Sequence, residues 1–135
     1  MPIARVATSL AARSVTRIQR IQDLSGFAAL RPHWDGLLAA SAANNPFLTF
    51  EWLYAWWANL GGNATLQTIA VWSDNELIAI APLMSTRSPG WFTRLEFLGT
   101  GHAGSDYLDL IVRRGHESEA LDSLADFIAS KRQTL

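Results

Sequence analysis

Pro46-Phe-Leu-Thr-Phe-Glu-Trp-Leu-Tyr-Ala-Trp-Trp-Ala-Asn-Leu-Gly-Gly62 reads as one helix. Thr49 is placed to cap its N-terminus, and the Gly61-Gly62 pair to stop it. At about 100° per residue, Phe50, Leu53, Tyr54, Trp57 and Leu60 make one core stripe. Trp52 and Trp56 widen the apolar arc to roughly 200°, about twice what one core face needs. So wide an arc predicts a second apolar neighbour. It could be a ligand, a partner, a part of the protein outside this chain, or a loop of the same domain.

Working outward, Val15 to Ile21 alternates apolar and polar residues and predicts a half-buried strand. Residues 1–14 read as a flexible lead-in, and 15–135 as one domain. Asp23 to Ser41 carries a helical pattern that Pro32 should kink or restart. Leu66 to Trp72 and Leu77 to Met84 read as two strands joined in a hairpin by Ser73-Asp-Asn-Glu76. The second is apolar at consecutive positions, so both of its faces should be buried. Pro82 within it predicts a bulge or a break in pairing. Residues 85–90 read as a loop and Trp91 to Leu98 as a third strand. Gly99 to Gly104 reads as a glycine loop and Asp106 to Val112 as a further strand. Glu117 to Ser130 reads as a helix with Leu121, Leu124, Ala125 and Ile128 inward. The fold class is a mixed α/β (α+β) domain.

Composition excludes several functions. The chain of 135 residues has no cysteine, which removes disulfides, zinc–thiolate sites and a cysteine nucleophile. A net charge of −1 gives no general attraction to nucleic acid. No apolar run reaches the ~20 residues that span a bilayer. Charge is uneven: Arg5, Arg13, Arg17 and Arg20 precede the first acid, Asp23. Such a start resembles an organelle transit peptide, although a frayed leader entering a first strand reads more simply.

Few residues carry a chemical signature. Gly99-Thr-Gly-His-Ala-Gly104 matches the dinucleotide fingerprint literally, but a strand follows where a helix is required. His102 lies near Ser105, Asp106 and Asp109 without a spacing that enforces a triad. Asp109 shares a strand face with Tyr107, opposite Leu108 and Leu110, which places a carboxylate at a rim or in a site. No metal-ligand spacing occurs, so no metal is expected.

Five segments in order carry a resemblance: Leu30-Arg-Pro-His-Trp-Asp-Gly-Leu37, Pro46 to Trp57, Leu77-Ile-Ala-Ile-Ala-Pro-Leu83, Leu95-Glu-Phe-Leu-Gly99 and Ser105-Asp-Tyr-Leu-Asp109. Over residues 16–135 the chain resembles the N-terminal half of the GNAT-related acetyltransferases of bacterial cellulose and exopolysaccharide biosynthesis. The resemblance implies a mostly antiparallel GNAT-like sheet flanked by helices, incomplete at its C-terminus. It implies acyl transfer from acetyl-CoA to an amine or hydroxyl of a small-molecule or saccharide acceptor, in the cytoplasm. It also implies contact with a second GNAT-like unit. Asp109 and Tyr107 are then the catalytic candidates, and Trp52, Trp56, His102 and Asp106 line the acceptor site. No residue is assigned to the donor. Arg113-Arg-Gly-His-Glu-Ser118, where the pyrophosphate loop would fall, has a single glycine, and the donor-binding half is expected to lie outside this chain. The alternative is a non-catalytic module that docks a partner through the Trp52/Trp56 face.

Overall fold

The computed structural model describes residues 15–43, 46–88, 92–99 and 110–132. They form a mixed α/β fold of two antiparallel sheets and four α-helices. Strand β1 (Thr16–Ile21) leads into α1 (Leu24–Ala28) and α2 (Arg31–Ala39). The Asp23 side chain caps α1 by accepting from Gly26 N at 2.7 Å. Pro32 sits in the first turn of α2, where its missing N–H costs nothing, so the predicted restart is what the chain does. After a 3₁₀ turn (Pro46–Leu48), α3 spans Phe50–Leu60. The strands β2 (Thr65–Leu66), β3 (Thr68–Ser73), β4 (Glu76–Ala81), β5 (Leu83–Ser88), β6 (Phe92–Phe97) and β7 (Ile111–Val112) follow, then α4 (Glu117–Arg132).

The first sheet has the order β1-β3-β4-β7 and the second β2-β5-β6. In the first, β1 runs against β3 from Thr16↔Ser73 to Ile21↔Thr68. The predicted β3–β4 hairpin forms, with Asp74 in the left-handed region at φ 55°. Asp74 also ties down the start of β1: its N–H donates to Val15 O at 2.9 Å, and its carboxylate accepts from Val15 N at 3.1 Å. Leu77 to Ala81 are all buried, as the continuous apolar run requires.

Pro82 is where the chain leaves one sheet for the other. It cannot donate to a ladder, β4 ends at Ala81 and β5 begins at Leu83. Residues 83–88, read from sequence as a strand end and a loop, are therefore a full strand, paired with β6 from Leu83↔Phe97 to Ser88↔Phe92. The Pro82 carbonyl still accepts from Leu98 N at 2.8 Å, which stitches β6 to the switch point.

The first sheet is buried on both faces. On one, Ala70, Trp72, Leu77 and Ile80 join the core of α1–α3, built on Phe27, Leu30, Trp34, Leu37 and Leu53. On the other, Ile69, Val71, Ile78 and Ala79 meet Ala120 and Leu124 of α4. The predicted inward face of α4 is corrected in part. Leu124 is 3% exposed and Ile128 packs against the core, but Leu121 is 45% exposed and Ala125 faces out. Ala120, Leu124, Phe127 and Ile128 form the stripe, at i, i+4, i+7 and i+8. Each face of the sheet is closed by helices contributed by this chain.

Candidate functional site

Helix α3 begins as its sequence predicts: Thr49 Oγ1 accepts from Trp52 N at 3.3 Å. Its packing differs from the predicted stripe. Phe50, Leu53 and Trp56 are buried, Tyr54 and Trp57 are partly buried, and Leu60 is 52% exposed. Leu60 points the right way on a helical wheel but sits in the last turn, past the edge of the core. Trp56 is 6% exposed and shares the core with Leu66, Met84 and Leu98. The second apolar neighbour of α3 is thus the second sheet of the same chain. Trp52 packs edge-on to Phe47, ring centroids 5.4 Å apart, and stays partly exposed. Trp52 and Trp56, with Ala55 and Leu60, line a hollow of about 180 Å³.

The other predicted site residues, His102, Asp106, Tyr107 and Asp109, lie outside the described residues, as does most of the glycine loop before them.

The turn that would hold a pyrophosphate is described, and its amides are committed. Arg113 N donates to Ile78 O (2.8 Å), Arg114 N to Ala40 O (2.9 Å) and His116 N to Arg113 O (3.0 Å). Gly115 N, at φ 89°, donates to the Glu117 carboxylate at 2.8 Å. The chain's own acceptors occupy the four amides from Arg113 to His116, so those four donors are closed to a phosphate. The Arg113 guanidinium is turned onto Leu77 O (3.1 and 3.3 Å), with Glu76 3.9 Å away. His116 stands between Glu119 (3.5 Å) and Glu76 (3.9 Å), and Glu119 also accepts from Thr16 Oγ1 at 2.6 Å. This polar knot joins β1, the β3–β4 turn and α4; its role is structural.

A concavity lies elsewhere, where the C-terminal end of α3 meets the second sheet. It encloses about 840 Å³, a size that suits a small ligand. Trp56, Asn63, Gln67, Thr86, Arg87 and Glu96 are among its walls. Gln67 is held from both sides: its oxygen accepts from Arg20 (3.1 and 3.2 Å) and its nitrogen donates to Ser85 Oγ at 3.4 Å. Glu96 is partnered by Arg94 at 3.4 Å. Trp56 Nε1 is buried and has no hydrogen-bond partner among the described residues, an exception to the rule that buried donors are paired. Reading 85–90 as a loop hid this site. The signal that marks it is Pro89-Gly90 between two strand-like runs, the punctuation of a hairpin.

Among the described residues no group of three or more acidic or histidine side chains is placed to hold a metal, and no helix is long and apolar enough to cross a membrane. In comparisons with known proteins, no family model, no curated protein and no solved structure matches the chain.

Proposed function

We propose that the chain is an acyltransferase domain of the GNAT type, serving transfer of an acetyl or related acyl group to an amine or hydroxyl in polysaccharide or cell-envelope biosynthesis. The supporting observation is the order of its elements: a strand, three helices and then a run of antiparallel strands, with β1, β3 and β4 in one ladder between helical layers. An antiparallel sheet flanked by helices is the coarse architecture the five-segment resemblance implies. Acyl transfer asks little of side chains beyond a base for the acceptor's proton. The reading assigns that role to Asp109, with Tyr107 as the second catalytic candidate and His102 and Asp106 as candidates for the acceptor site. Acetyl-CoA is the donor the resemblance implies; the Arg113–His116 turn is not where its pyrophosphate binds, because those amides are already used.

The test is a thermal melt of the whole chain with and without millimolar acetyl-CoA. A ligand that binds only the folded state at about 100 times its Kd adds about 2.7 kcal/mol, a rise of several degrees. A cooperative melt that the donor leaves unmoved removes donor binding from this chain.

The committed amides of Arg113–His116 also favour a second reading, a non-catalytic module that docks a partner through the Trp52/Trp56 face. Trp52→Ala separates the two. In the docking reading it abolishes partner binding with the melt intact; in the acyltransferase reading it changes acceptor affinity.

A further inference from the structure

The concavity beside α3 has one open wall made of backbone. Strand β5 runs from Leu83 to Ser88, but β2 pairs with it only at Met84 and Ser85. The register shows which groups this leaves. Gln67 N donates to Leu83 O at 2.9 Å, so Leu83 turns its polar groups toward the β2 side. On the opposite side Leu98 N donates to Pro82 O, so the even-numbered residues face β6. Antiparallel pairing alternates strictly, which puts Ser85 and then Arg87 on the β2 side. Thr65 meets Ser85. On that side no strand among the described residues meets Arg87, because the chain turns through Gly61–Ala64 there, with Ala64 N bonded to Gly61 O at 3.0 Å. The N–H and C=O of Arg87 therefore point from the end of a ladder toward Asn63 and the concavity.

We infer that this concavity binds a short extended peptide, one residue of which continues the β2 line by pairing with the backbone of Arg87. Adding a strand to an open edge is a recurring mode of peptide recognition, with the main chain giving affinity and the walls giving selectivity. The walls suit a peptide in three ways. The side chains of Asn63, Thr65, Thr86 and Thr93 make no side-chain hydrogen bond to other described residues, and they ring the space with neutral donors and acceptors. Arg87 offers a cation to a carboxylate end, and Glu96, whose Oε1 accepts from Arg94, offers its second carboxylate oxygen to an amine end. The unpaired Trp56 Nε1–H supplies a donor for a further peptide carbonyl. That atom is covered by its neighbours, so the indole must turn slightly to reach the peptide, and Trp56 reports on binding. The open stretch of β5, Thr86 to Ser88, sets the length at about three residues.

This inference does not depend on acyl transfer. The test uses the unmodified chain and tri-alanine, followed by calorimetry and tryptophan fluorescence. In an antiparallel pair one peptide residue both donates to and accepts from Arg87, and its neighbour's N–H points away. Methylating one of the two amide nitrogens should weaken binding at least tenfold, and methylating the other less than threefold. Trp56→Phe, which keeps an aromatic ring and removes the N–H, should weaken binding about threefold to tenfold without loss of the cooperative melt. Saturable binding indifferent to methylation at both positions overturns the inference. So does the absence of binding by a chain that melts cooperatively, or a response to cellobiose but not to tri-alanine. A donor-induced melt shift with no peptide binding sinks this inference alone; peptide binding with no shift sinks the acyltransferase reading alone.

Discussion

Trp34 shows how one polar atom can set the position of a core side chain. Its ring is fully buried among Phe27 and Phe50, centroids 5.2 and 5.7 Å away. Its Nε1–H donates to Leu48 O at 2.8 Å, which fixes the 3₁₀ turn against α2 and so sets where α3 starts. Trp34→Phe leaves that buried carbonyl without its donor and should cost about 1–3 kcal/mol, read as a lower urea midpoint at unchanged slope. Trp56 is the converse case. Its N–H has no partner among the described residues, so Phe at that position sacrifices no internal hydrogen bond. Two buried tryptophans of similar appearance in the sequence thus carry opposite expectations for the same substitution.

At the scale of the element, two helical glycine positions separate propensity from packing. Gly36 lies within α2 with no atom within 4 Å of an added Cβ. Gly36→Ala should stabilise by up to about 1 kcal/mol, because alanine loses less conformational freedom in a helix. Gly61 ends α3, where an added Cβ would sit 2.7 Å from both the Trp57 carbonyl and its ring. Gly61→Ala should therefore destabilise by about 1–3 kcal/mol through overpacking. Thermal melts of the two variants should move in opposite directions. A parallel shift would mean that Trp57 gives way more easily than its packing suggests. The Pro82 junction belongs to this scale too. One residue without an N–H turns a single apolar run into two strands in different sheets, and the open edge at Arg87 follows from that turn.

For the whole molecule, α4 is the layer that closes the far face of the first sheet. Its few buried contacts come from Ala120 and Leu124, with Phe127 and Ile128 packed at the margin. Leu124→Ala should cost about 2–5 kcal/mol. If the layers fold as one unit, fluorescence of the tryptophans on the opposite face should report the same shifted transition as far-ultraviolet circular dichroism. Separate transitions would mean that α4 is a distinct cooperative unit.

What could be read from residues alone was local. Helix caps at Asp23 and Thr49, the restart at Pro32, the β3–β4 hairpin and the twice-buried β4 all follow from neighbours within a few positions, where propensity, capping and periodicity act. The tertiary structure decided which neighbour covered which face. The wide apolar arc of α3 left its second partner open, and that partner is the β2-β5-β6 sheet, brought round by Pro82. Leu60 and Leu121 have helical spacing that suits a core, yet one lies past the core's edge and the other on the solvent side, since periodicity gives direction without giving extent. The commitment of the Arg113–His116 amides depends on Ala40, Ile78 and Glu117 converging from three elements. The concavity at Arg87 depends on how far β2 runs along β5. Hydrogen bonds and cavities between segments far apart in sequence arise only when the chain has folded, so the sequence determined the elements and the tertiary structure decided the sites.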